Sequence, residues 1–362
     1  MNNQKIASDK KIIQFIRGIY YGDAQWYYLL NLKKMFDGLG IDNLIFVEDE
    51  KCKNQFVKNV SEYRPSKKDI AILHYSNYFE INSFAASLDC LKIMNFQNVT
   101  PPDFFRSYSD ELCEKTGAAY TELPAIASKF DYIITHSEFS KLTLLKNAMA
   151  IEENRIKVIS LLLDFSRYRK SAVNKFKKIL QPYTKILFVS RIFPNKRQDL
   201  LVDMMNILVN EYNQKKIRLY LGGTALSEYY KLLQTKIKNY SLEKYIHITG
   251  EIRSDEELLM HYETADVFVC PSEHEGFCAP IVEAAFYNLP IIAFDQPAVK
   301  ETILDKHVLI NENKAENYAD AIMNYKNIYS KSDITGFNTE IISFHKKTEE
   351  KFREYFLSLL NN

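Results

Sequence analysis

A chain of 362 residues is too long for one hydrophobic core, which predicts two domains. Hydrophobic residues at 46% and charged residues at 26% describe an ordinary globular protein, and a net charge of +1 excludes a bulk nucleic-acid binder, which would carry a basic excess. Cys52, Cys90, Cys113, Cys270 and Cys278 form no Cys-x-x-Cys pair and read as free thiols of a reducing cytoplasm, and no apolar run approaches a signal peptide or a membrane span. A cytoplasmic protein is expected, with association at the inner face of the membrane left open.

In chain order, apolar β-branched runs alternate with longer helical patterns. Strands are predicted at residues 11–17, 43–47, 70–75, 91–96, 131–136 and 156–160, and again at 185–190, 217–222, 245–249, 266–270, 290–294 and 307–310. Short runs apolar on both faces, separated by helices, indicate parallel sheets covered on both sides. Residues 24–36 show the helical interleaving, with Trp26, Leu29, Leu30 and Leu32 on one side and Lys33 and Lys34 facing away. The series occurs twice, so the predicted fold class is α/β with two Rossmann-like domains, over 1–175 and 176–340. The basic, proline-containing stretch 166–184 reads as their linker. A C-terminal amphipathic helix over 341–362, with Phe344, Phe352, Tyr355, Phe356 and Leu359 on its apolar face, is expected to return to the N-terminal domain.

The candidate site residues fall mostly in the second half. Arg191 and Lys196 follow the strand 185–190, on a loop where ligands of open α/β sheets bind. Glu275 and Glu283 flank a Gly-Phe-Cys-Ala-Pro turn after the strand 266–270. With Pro280 in the first helical turn, Gly276, Phe277, Cys278 and Ala279 present backbone N–H groups at a helix N-terminus, which suits phosphate. Glu283, one turn further, can accept from a vicinal diol such as a ribose, and Glu275 can reach hydroxyls beyond the phosphates. Two cations, backbone amides and two carboxylates describe a nucleoside diphosphate-sugar site. Thr249, Gly250, Glu251 and Ile252 are placed to offer backbone groups to the base. In the first half, Gly22 stands in the first strand-to-helix loop, as a close-approach or a plain turn glycine, and Asp23 reads as a helix cap ahead of the alternative of an acceptor-facing base. His74 ends a strand, facing sugar or acceptor or simply packing. His136 ends another strand, and Ser137 after it reads as a helix cap.

The segments SRIFPNK, LGG at 221–223, ITGEI, ADVFVCPSEHEGFCAPIVEAAFYNLPIIAFD and AVKETI resemble, in order and spacing, the retaining glycosyltransferases of family 4. In the first half, GDAQWYYLLNLKKMF, ILHYS, NVTPPDFF and HSEFS resemble bacterial members that build surface polysaccharides, many of them mannosyltransferases. The resemblance spans residues 11–310 and implies the GT-B fold, two Rossmann-like domains facing a cleft. It implies that Glu275 and Glu283 are the family's Glu-x7-Glu pair and Arg191 and Lys196 its diphosphate-binding pair. The implied activity is transfer of a hexose, with retention, from a nucleotide sugar to a glycan or lipid-linked acceptor. GDP-mannose is the first expectation for the donor and a UDP-sugar the next.

No Asp-x-Asp motif is present, so no metal or other cofactor is expected, and the two cations with the helix amides are expected to stabilise the leaving diphosphate. The segment NFQNVTPP has Gln97 where the family usually has a histidine beside the donor sugar; glutamine can hydrogen-bond a hydroxyl but cannot ionise. Cys278 and Asn288 replace common glycines, and a Cys278 side chain beside the phosphates would narrow the site. Glu301 resembles a position after the donor loop. The alternatives are a non-catalytic sugar-nucleotide-binding partner of another transferase, or a sugar-nucleotide epimerase or hydrolase. The absence of Gly-x-Gly-x-x-Gly after either first strand argues against a dinucleotide oxidoreductase.

Overall fold

The computed structural model describes residues 9–18, 24–52, 55–168, 177–303, 307–329 and 336–361. Two compact units divide the chain. The first holds the chain to Pro102, Glu111–Asp164 and His345–Asn362; the second holds Asp103–Asp110 and Phe165–Phe344. The boundary expected near residue 175 falls outside the described residues, and the units part between Asp164 and Phe165.

Seven parallel strands build the first unit: β1 (Ile12–Ile16), β2 (Asn43–Val47), β3 (Val57–Asn59), β4 (Ile70–Tyr75), β5 (Leu91–Phe96), β6 (Tyr132–Thr135) and β7 (Ile156–Val158), in the order β3-β2-β1-β4-β5-β6-β7. Six more build the second: β8 (Thr184–Val189), β9 (Ile217–Gly222), β10 (Ile246–Gly250), β11 (Val267–Cys270), β12 (Ile291–Phe294) and β13 (Val308–Ile310), in the order β10-β9-β8-β11-β12-β13. Each sheet begins in its middle and winds outward both ways. Parallel neighbours need crossovers, and the helices that supply them cover both faces, which is why β1 and β4 are buried along their whole length. The strand β3 was not expected. Its three residues lie at a sheet edge, half-buried, and need no apolar run.

The predicted first helix is α1 (Ala24–Gly38), with Trp26, Tyr28, Leu29, Leu32, Met35 and Phe36 buried and Lys34 exposed. The tail helix begins earlier than expected and spans Phe337–Asn361. From His345 onward it belongs to the first unit. There the ring of Phe356 meets Phe36 edge-on at 4.9 Å, and Phe352 lies 6.3 Å from Tyr28. The buried positions Ile341, His345, Thr348, Phe352, Phe356 and Leu359 follow the helical repeat. Phe344, one residue off that stripe, is exposed, contrary to its expected place on the apolar face. Truncating Phe356 should therefore cost far more than truncating Phe344. We expect Phe356→Ala to destabilise by about 3–5 kcal/mol and Phe344→Ala by less than about 0.5 kcal/mol, measured as the change in urea midpoint at constant slope. Equal losses would contradict the packing.

Candidate functional site

In the second sheet β8 has β9 on one side and β11 on the other, so the chain turns in opposite directions from this point. The crevice outside the carboxyl ends of such strands is where open α/β sheets bind ligands. The loop after β8 carries Arg191 and Lys196. Pro194–Lys196 forms a single 3-10 turn, Arg197 takes the left-handed conformation at φ 54°, and the helix Gln198–Asn206 follows. The Gln198 side chain donates to the Arg191 carbonyl at 2.9 Å and fixes the loop from behind. The exposed Arg191 guanidinium stacks on Phe193, 4.8 Å from the ring centre. Lys196 Nζ donates to Glu275 Oε1 at 2.6 Å, with both side chains largely buried. Cation and carboxylate, predicted as separate contacts, form one pair.

The loop after β11 leads into the helix Ala279–Phe286, with Pro280 in its first turn as predicted. Cys278 precedes it at φ 75°, a conformation that explains why glycine suits this position. The expectation that its side chain narrows the phosphate space is not met: the side chain turns inward, and its sulfur lies 3.8 Å from Cys270 Sγ. Pro280 has no N–H, and the Ile281 amide donates to the Cys278 carbonyl. Asn288 does adopt φ 57°, and its side chain accepts from the Asn338 amide at 2.9 Å.

Glu283 differs most from its expected openness. Its Oε1 accepts from Arg167 Nη2 and from the Tyr168 hydroxyl, both at 2.9 Å, and its Oε2 accepts from the Tyr262 hydroxyl at 2.7 Å. Burial, with Glu283's charge added, pushes both tyrosine hydroxyls well above their ordinary pKa, which keeps them as donors. A carboxylate has about four acceptor positions, and three are used, so a diol taking two bonds must displace a partner. Arg167, Tyr168 and Tyr262 were not named from the sequence, because their link to Glu283 is made only by the fold.

Behind these loops, the second glycine of LGG has a definite task. A Cβ on Gly223 would lie 2.0 Å from the Ser190 carbonyl oxygen, so only glycine lets the ends of β8 and β9 approach. Gly223, Thr224, Ala225, Tyr230, Thr249, Gly250 and Glu251 line a cavity of about 450 Å³, which gathers three of the four residues expected to face a base. Ile252 packs toward Gly222 instead. Glu301 is exposed on the short helix Pro297–Thr302. In the same unit, Phe105 contacts Phe193 edge-on at 6.0 Å and Phe104 lies 6.4 Å from His274, so the segment after NVTPP packs beside both loops.

In the first unit, Gly22 and Asp23 lie outside the described residues. His74 is a core residue: Nε2 meets Gln14 Oε1 at 3.0 Å, and Nδ1 meets Asn95 Nδ2 at 3.0 Å and Gln97 Nε2 at 3.5 Å. It does not face solvent. Gln97, just beyond β5, keeps a buried Oε1 with no partner among the described residues. His136 Nδ1 meets the Ile159 carbonyl at 2.9 Å, and Ser137 caps the helix Glu138–Asn147. Burial, reinforced by His136, pushes His74 down to about 3; burial, opposed by the Ile159 carbonyl, pushes His136 down to about 4. Among the described residues, the groups able to gather on a metal ion are Cys270, Glu275 and Cys278, with ligand atoms within 4.8 Å of one another.

These residues can be set beside known proteins. Residues 171–338 match the family described as Glycosyl transferases group 1. The chain is 24% identical over 177 residues to the poly(ribitol-phosphate) alpha-N-acetylglucosaminyltransferase of Staphylococcus aureus, a match covering 48% of this chain and 34% of the relative. It is 26% identical over 142 residues to the O-antigen chain mannosyltransferase RfbU of Salmonella typhimurium, covering 39% and 38%. The matches thus span about a third of the length of these relatives. In structure the chain is similar to Anabaena HepE, solved in complex with UDP and glucose, with a TM-score of 0.73 at 17% identity over 96% of this chain and 99% of that one. That likeness establishes the fold: two parallel-sheet α/β units of the GT-B class.

Two expectations follow from the buried groups. Because His74 and His136 fold neutral, with values below the unfolded 6.5, the unfolded chain binds protons more readily between pH 6.5 and about 4. Stability should be fully present above pH 6.5 and fall below it, with a slope approaching roughly 1.4 kcal/mol per pH unit for each histidine; urea melts flat from pH 7 to 5 would contradict this. Separately, Glu283→Ala leaves the Arg167 guanidinium short of its main partner, whereas Glu283→Gln keeps an acceptor. We expect losses of about 3 kcal/mol and about 1 kcal/mol, read from the same melts.

Proposed function

We propose that this chain is a glycosyltransferase that moves a hexose from a nucleoside diphosphate sugar to a glycan or lipid-linked glycan during surface polysaccharide assembly. The observation that carries this reading is the pairing of Lys196 with Glu275, beside Arg191, at the point where the second sheet reverses direction. The group 1 match over this same unit, and relatives named as a poly(ribitol-phosphate) alpha-N-acetylglucosaminyltransferase and an O-antigen chain mannosyltransferase, support it.

When the sugar leaves, negative charge grows on the departing phosphate. Arg191, held on Phe193 at the mouth of the crevice, and the largely buried Lys196 are fixed cations that can stabilise this charge. Lys196 would share its charge between Glu275 and the diphosphate, and Glu275 would be left to take a sugar hydroxyl. The cavity at Thr249–Glu251 would receive the base. UDP stands in HepE and in relatives that name UDP-N-acetylglucosamine, so we place a UDP-sugar before GDP-mannose as donor. Retention follows the family 4 resemblance. We also propose metal-independent transfer: two soft thiols beside a single carboxylate make a sulfur-dominated set, unlike the all-oxygen set that magnesium takes with phosphates. Gln97 would offer its amide to the sugar without a proton transfer.

Among the described residues no helix is long and apolar enough to cross a membrane. Work at the inner face of the membrane is proposed on the exposed Leu142 and Met149 near the exposed Lys146. The deciding experiment is a thermal-shift panel with UDP, GDP, ADP and dTDP. A nucleotide at a hundred times its Kd stabilises by about 2.7 kcal/mol, a rise of a few degrees. UDP alone should produce it, and release of UDP from a UDP-sugar should require an acceptor and survive EDTA. Donor consumption without acceptor would point to a hydrolase or epimerase, and loss of turnover with EDTA would reinstate a metal.

A further inference from the structure

Two cysteines of the second unit have no part in the reading above. Cys270 ends β11 and Cys278 is the left-handed residue before the helix Ala279–Phe286, so they stand at the two ends of the loop carrying Glu275. Both are buried and free, with their sulfurs 3.8 Å apart. No other sulfur contact is needed for them to react. Forming an S–S bond of about 2.05 Å asks each sulfur to move roughly 0.9 Å.

We propose that Cys270 and Cys278 are an oxidisable thiol pair, converted by a small hydroperoxide to a disulfide that ties off the loop 271–277 and weakens nucleoside diphosphate binding there. The second half rests on the transferase reading; the bond itself does not. Closure would be transmitted directly. The Cys278 carbonyl takes the Ile281 amide, the neighbouring Phe277 carbonyl takes the Thr302 hydroxyl, and Glu275 within the loop holds Lys196. Moving Cys278 therefore disturbs the helix start and the lysine pair together.

The chemistry balances in two steps. The sulfur of Cys278, the less buried of the two, attacks one peroxide oxygen, the O–O bond breaks, and the thiol becomes a sulfenic acid while the other oxygen leaves as water from hydrogen peroxide or as the alcohol from an organic hydroperoxide. The Cys270 sulfur then displaces the sulfenic oxygen, forming the S–S bond and releasing water. Two electrons pass from the sulfur pair to the peroxide, and a dithiol returns them. The hydrogen bond to Cys270, together with burial, holds the Cys278 thiol well above its ordinary pKa, so the first step is slow; burial pushes Cys270 up, but its bonds to Cys278 and Ser272 bring it below its ordinary value, which suits the resolving role. A metal ion on the same atoms is disfavoured because Glu275 already carries the Lys196 charge at 2.6 Å, and a second cation would compete for one carboxylate.

The test uses the full chain, reduced and then treated with excess hydrogen peroxide, alkylated, digested and mapped by mass spectrometry. Expected is a linked Cys270–Cys278 species lighter by two hydrogens, absent from Cys270→Ala and Cys270→Ser. UDP binding, measured by calorimetry, should weaken at least tenfold in the oxidised protein, recover with dithiothreitol, and be insensitive to peroxide in both variants. Untouched cysteines, a sulfinic acid at Cys278, or one zinc per chain in the reduced protein would overturn the thiol pair. A disulfide that leaves UDP affinity unchanged would overturn its effect on the loop. If the reduced protein binds none of the four nucleotides, the transferase reading fails and takes that effect with it, while the peptide map still decides the bond.

Discussion

A carboxylate withdrawn from water must be given a cation or hydrogen-bond donors, or it loses its charge. The second unit withdraws Glu275 and Glu283 after β11 and holds the partly exposed Glu273 beside them, and its local architecture follows from how each is satisfied. Glu273 takes Arg197 and Asn313, Glu275 takes Lys196, and Glu283 takes Arg167, Tyr168 and Tyr262. The first two ties run to the loop after β8. They hold the two loops that flank the sheet's reversal point in register, and Gly223 allows the strand ends behind them to meet. Preorganisation of the charged groups is thus a consequence of satisfying buried charge.

The same ties carry a cost in availability. Each partner that binds a carboxylate also fills one of its acceptor positions, so Glu283 is nearly saturated before any ligand arrives. A substrate hydroxyl at this position gains only the difference between its bond and the bond it replaces, which favours discrimination over raw affinity.

Much of the sheet architecture was legible, because a strand covered on both faces must be apolar throughout. The runs at 43–47, 70–75, 91–96 and 217–222 coincide with strands residue for residue. What could not be read is what depends on partners distant in the chain. The edge strand β3 is specified by its neighbour β2 and not by its own composition. Phe344 looked apolar-facing, but the stripe is set by Phe352 and Phe356 against α1. His74 at a strand end was open to two readings, and Gln14 and Asn95 decided between them by enclosing it. Among the site residues, the places of Arg191, Lys196 and Glu275 on loops after strands, and of Glu283 in the helix that follows, could be read from the run of strands, whereas their pairings could not.

The tail helix has a consequence for how the protein is made. Phe36 and Tyr28, near the start of the chain, complete their burial against Phe356 and Phe352, which are synthesised after the whole of the second unit. At about 5–20 residues per second, the interval from Asp164 to His345 lasts roughly 10–40 s. Throughout that time the first unit emerges from the ribosome with an uncovered apolar patch. Its core is finished last although its sequence comes first.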